Sequence, residues 1–75
     1  MSNAKHTPIE MMRDEATQIL FEYATTRGDR FRQWFYPHLP TTYVQNPKIP
    51  NLIQAGIERG LSAQQIADEI YKEHA

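Results

Sequence analysis

Gly56-Ile57-Glu58-Arg59-Gly60-Leu61-Ser62-Ala63-Gln64-Gln65-Ile66-Ala67-Asp68-Glu69-Ile70 is the stretch whose reading decides the fold. It holds the end of one helix, a tight turn and the start of another. Gly60 lacks a Cβ and can take the left-handed conformation that terminates a helix. Ser62 is a good N-cap, and Gln65 three positions on completes the pattern of a capping box. Leu61 and Ile66 fall at the two ends of a hydrophobic staple, which sets the entry angle of the second helix. These signals predict a third helix from about Pro50 or Asn51 to Arg59 and a fourth from Ala63 to about His74. Leu52, Ile53, Gly56 and Ile57 face inward on the third; Ile66, Ala67, Ile70 and Tyr71 do so on the fourth. Gly56 in a helix interior costs about 1 kcal/mol against alanine. The expected compensation is close approach of another backbone, from the first or last helix. Asp68 and Lys72 stand at i, i+4, where a surface ion pair is expected.

Towards the N-terminus, Thr7 is an N-cap candidate, Pro8 suits the first helical position and Glu10 completes a second capping box. Ile9, Met12, Ala16, Ile19 and Tyr23 then recur at spacings of three and four, widened by Leu20 and Ala24. That stripe predicts an amphipathic first helix ending near Arg27-Gly28. Phe21 falls well off the stripe and marks a possible contact surface. Asp29 is placed to cap a short second helix, Arg30 to about Tyr36, stopped by Pro37. Phe31, Trp34 and Phe35 share one face of it and are read as core.

Residues 37–50 carry Pro37, Pro40, Pro47 and Pro50, too many for a regular helix and ill suited to a central strand. The expectation is an extended crossing segment laid over the core through Leu39, Tyr43, Val44 and Ile49. Thr41 to Val44 has strand character, but the only convincing pairing partner is the same segment in another copy.

The chain has 75 residues, read as one domain, residues 1–75, too small to build a large core alone. With no cysteine, neither a disulfide nor a thiolate metal site supplements it, so oligomerisation is the expected source of added stability. Ser2-Asn3-Ala4 resembles the scar of a cleaved tag, and residues 1–6 are expected to be disordered or tag-derived. No apolar run approaches the ~20 residues that span a bilayer, and no signal peptide is visible, so no membrane and a cytoplasmic location are expected.

Gly60-Leu-Ser-Ala-Gln-Gln-Ile-Ala-Asp-Glu-Ile70 resembles the entry to a helix-turn-helix DNA-binding motif, in which Gly-x-Ser-x-x-x-Ile-Ala precedes a turn and a recognition helix. The resemblance implies major-groove reading, but Tyr71 to Ala75 is too short for the turn and second helix. The outer face of the fourth helix, with Gln64, Gln65, Asp68, Glu69, Lys72 and Glu73, is net acidic and would be repelled by phosphates. A capped scaffold helix is the preferred reading.

Charge is concentrated in the middle third. Residues 27–48 hold Arg27, Arg30, Arg32 and Lys48 against Asp29 alone, while the whole chain has a net charge of −1. Interleaved with Trp34 and Tyr43, these cations have the composition of a single-strand stacking site. They equally suit an acidic protein surface or pairing with nearby carboxylates. His6, His38 and His74 are scattered, Asp14-Glu15 and Asp68-Glu69 point about 100° apart on their helices, and no phosphate loop or nucleophile motif occurs.

The sequence thus predicts an all-α domain of four helices, the second short, with a proline-rich crossing segment between helices 2 and 3. The function expected is a non-catalytic, regulatory protein–protein interaction module, self-associating as a homodimer, with no catalytic residue, cofactor or metal. Candidate partner-binding residues are Phe21, Arg27, Arg30, Arg32, Trp34, Tyr43 and Lys48. The alternative is a nucleic-acid-associated regulatory protein using the basic-aromatic segment 27–48.

Overall fold

The computed structural model describes residues 8–75; the expected Thr7 cap, its box with Glu10, His6 and the tag-like residues lie outside them. Four helices follow one another: α1 (Pro8–Thr26), α2 (Asp29–Phe35), α3 (Ile49–Glu58) and α4 (Ala63–His74). Among the described residues there is no strand. The all-α, four-helix expectation holds, with the second helix short. No helix among these residues is long and apolar enough to cross a membrane.

The α3–α4 corner is built as its sequence dictates. Gly60 has φ +80°, its N–H donates to the Ile57 carbonyl (2.9 Å), and the Leu61 N–H donates to the Gly56 carbonyl (3.1 Å). These are the two bonds of a Schellman ending, which satisfy carbonyls that the helix itself leaves open. The Ser62 hydroxyl accepts from the Gln65 N–H (3.1 Å), and the Gln65 side chain accepts from the Ser62 N–H (2.9 Å), closing the capping box.

Helix α1 touches all three other helices. Its buried stripe is Ala16, Leu20, Tyr23 and Ala24. All four belong to the expected stripe, centred towards its widened side: Leu20 and Ala24 are fully buried, Met12 and Ile19 only partly, and Ile9, out at the helix start, is exposed. Phe31 and Phe35 of α2 complete the centre with Ile49 and Ile53 of α3 and Ile66 and Ile70 of α4. Burying each such large side chain contributes about 1.5–3 kcal/mol.

Three local expectations are corrected. Asp29 does not cap α2; Gly28, at φ 103°, holds the N-cap position, and the Asp29 carboxylate instead pairs with Arg32 one turn on. Asp68 does not pair with Lys72 but accepts from Tyr23 (2.7 Å) and Gln64 (3.0 Å). At Gly56 the close neighbour is a side chain rather than a backbone. A Cβ there would lie 2.6 Å from Cγ1 of Ile66, so the missing methyl is the room into which α4 packs.

The crossing segment departs furthest from expectation. After Tyr36 the chain makes tight turns, with the Leu39 N–H donating to the Tyr36 carbonyl (3.2 Å) and the Thr41 N–H to the His38 carbonyl (2.9 Å). The Leu39–Pro40 peptide is cis. Leu39 is half-buried and Ile49 is buried, as expected, but Tyr43 and Val44 are 74% and 55% exposed and do not pack over the core. An amide does the anchoring in their place. Asn46, 9% exposed, donates through its N–H to the Phe35 carbonyl (2.8 Å) and through Nδ2 to the Trp34 carbonyl (2.9 Å). Its Oδ1 accepts from the Lys48 N–H (3.0 Å), and its carbonyl accepts from the Ile49 N–H (3.1 Å). One residue therefore satisfies carbonyls left open at the end of α2 and amides left open at the start of α3.

Candidate functional site

The seven sequence-selected residues do not form one patch, and the structure has already engaged several of them. The Arg27 guanidinium lies over the Tyr23 ring (4.0 Å) and near that of Tyr71 (5.2 Å), where ring faces attract cations. Arg32 is tied to Asp29. Trp34 is half-buried, with His74 stacked on it at a centroid distance of 3.9 Å and an interplanar angle of 17°. The imidazole Nδ1 lies 3.0 Å from the Ile70 carbonyl, which fixes the ring over the indole. Phe31, Phe35 and Tyr36 are buried. Of the cations and rings of the basic-aromatic segment, the exposed ones are Arg27, Arg30, His38, Tyr43 and Lys48. Phe21, 40% exposed, stands apart on α1 as its position off the stripe implied.

Arg32 and Tyr43 are brought together. With Asp29, Gln33, Leu39 and Pro40 they line a shallow open groove of about 480 Å³. The Tyr43 ring meets the buried Tyr36 ring edge-on at 5.2 Å, so one side of it is supported while most of it faces solvent. Burial, with Tyr43 as a smaller contributor, pushes the Tyr36 hydroxyl above the ordinary value of 10.0. A second, smaller cleft of about 130 Å³ lies between α3 and α4. Leu52, Gly56, Ile66 and Ile70 contribute its apolar lining, and the Arg59–Glu69 ion pair (2.9 Å) stands at its side.

Sequence reasoning missed two constellations. The Tyr23 hydroxyl donates to Asp68 (2.7 Å) and accepts from Gln64 (2.7 Å), linking α1 to α4. The bond to Asp68 is the main reason the Tyr23 hydroxyl is raised above 10.0; burial adds to it, while Gln64 and Arg27 oppose it. Asn46 is the other, and Asn-Pro, a turn-initiating dipeptide, was the available signal for it. Among the described residues, no group of three or more His, Asp or Glu lies close enough to hold a metal ion.

The exposed surface of the crossing segment is chemically plain. Leu39 to Pro47 contains no charged residue, and its two most exposed apolar side chains are adjacent. It offers apolar and backbone contacts, flanked by the Arg32–Asp29 pair across the groove and by Lys48 next in sequence. Comparison with protein families, with characterised proteins and with solved structures yields no match.

Proposed function

We propose that the chain is a small, non-catalytic protein–protein interaction module with a regulatory role, which associates with itself through the face that carries the crossing segment. The observation that carries this reading is the exposure of Tyr43 and Val44, side by side on an uncharged segment held at both ends by hydrogen bonds. A segment prearranged in this way loses little conformational freedom when a partner covers it. Tyrosine also supplies large contact area with few rotatable bonds. The cations at the edge suit a polar rim, which influences rate and specificity more than affinity.

Sedimentation velocity over a concentration series, at low and at moderate salt, tests the proposal. The expected result is a rise from monomer to dimer mass at concentrations on the order of tens of micromolar, hardly changed by salt. A monomer throughout would overturn it. Single-stranded oligonucleotides that change Trp34 emission in a steeply salt-dependent way would move the reading to nucleic acid.

A further inference from the structure

Thr42–Asn46 runs without turn or bend between the tight turns at 37–41 and the turn before α3. The N–H groups of Thr42 and Asn46 are already engaged, by the carbonyls of His38 (3.2 Å) and Phe35 (2.8 Å). In an extended chain successive residues present their backbone groups to opposite edges. Paired as a strand, Thr42, Val44 and Asn46 would share the inner edge, and Tyr43 and Gln45 would hold the outer one. No hydrogen bond among the described residues engages the N–H or carbonyl of Tyr43, Val44 or Gln45, so Tyr43 and Gln45 form the edge whose groups are all free, while Val44 lies on the edge where the Thr42 and Asn46 N–H groups are taken. The result is a short open backbone edge with a strand-favouring sequence, Thr41-Thr42-Tyr43-Val44-Gln45, bounded by Pro40 and Pro47.

Building on the self-association proposed above, we infer that two copies of this chain join by antiparallel pairing of this edge about a two-fold axis, with Val44 of one copy opposite Val44 of the second. Symmetry and the free groups select that register together. A two-fold axis normal to an antiparallel ribbon must place some residue opposite its own copy. Centring on Val44 lets Tyr43 of each copy exchange both backbone bonds with Gln45 of the other, which uses all four outer-edge groups of each chain. Centring on Tyr43 would instead require the Thr41 N–H, already bonded to the His38 carbonyl (2.9 Å). In the chosen register the Val44 pair falls at a non-hydrogen-bonded position, where facing side chains come closest.

A second copy is the occupant because the segment complements itself. Across the axis every residue meets a neutral one, since Leu39 to Pro47 carries no charge. The edge also lacks the lysine or inward charge by which exposed strands usually discourage pairing. Lys48 of the two copies would sit at opposite ends of the ribbon, well apart.

Charge exchange at Val44 is the test. Val44→Asp alone and Val44→Lys alone each place like charges face to face, and each should raise the dimer dissociation constant by roughly tenfold or more. Val44 is exposed, so thermal unfolding at low concentration should be little changed in either variant. An equimolar mixture of the two should recover dimers in sedimentation velocity. Loss of the dimer in each variant without recovery on mixing would overturn the register. A dimer indifferent to both variants would overturn the strand pairing while leaving self-association through another surface, such as Phe21. A wild-type chain that stays monomeric would remove both proposals.

Discussion

On one side of α3 the chain reverses within residues 59–62, and the backbone and capping bonds that shape the reversal lie between residues 55 and 66. On the other side it takes residues 36–48 to travel from α2 to α3, and the bonds that hold it converge on Asn46 from both helices. The first connection is specified locally, by residues that would favour the same geometry in many folds. The second exists only where the end of α2 and the start of α3 are already near each other. Local specification distributes the stabilisation over several small terms, whereas long-range anchoring concentrates it in one side chain.

The sharpest way to break this contrast is to remove the anchor. Asn46→Ala deprives the Trp34 carbonyl and the Lys48 N–H of their partners at a buried site and should cost about 3 kcal/mol. Chemical denaturation followed by Trp34 fluorescence measures it, and a loss no greater than that of a cap variant would erase the distinction. Gly56→Ala comes next. The added methyl meets Ile66, which is 2% exposed and has little room to yield, so a net loss of about 1–2 kcal/mol is expected despite alanine's better helix propensity. Combining it with Ile66→Val should recover part of that loss, and a double-mutant cycle reads the coupling.

At the locally specified corner, Ser62→Ala should cost about 1 kcal/mol, seen as a shift in the denaturation midpoint with an unchanged slope. The smallest expected effect concerns Tyr23. Its hydroxyl is raised in the folded state, so its contribution is complete below pH 10.0, the unfolded value, and is lost as pH rises through the folded value. Tyr23→Phe should therefore flatten the alkaline limb of the stability–pH curve. An unchanged limb would show that the bond to Asp68 does not hold the proton.

The same contrast explains how much the sequence made legible. The Gly60–Ser62 corner could be read because its donors and acceptors lie within one short window, and Phe31 and Phe35 because their spacing forces them onto one helix face. Tyr43 and Val44 were misplaced because apolar character does not tell which side of an extended segment meets the core. Asn46 escaped because its acceptors, the Trp34 and Phe35 carbonyls, become available only once α2 ends there. Within the candidate site, the Arg32–Asp29 pair was within reach of i, i+3 geometry. The capture of Arg27 by Tyr71 needed α1 and α4 to be side by side.

The stack of His74 on Trp34 gives this small domain an optical gauge of its own far end. The only indole in the chain lies against the last turn of α4, the part of a helix most inclined to fray. Release of that turn would expose one face of the ring to water before the rest of the core opened. Emission from Trp34 would then begin to shift at lower denaturant than the helical circular dichroism signal. The gap between the two curves would measure, without any added label, how much earlier the end of α4 lets go.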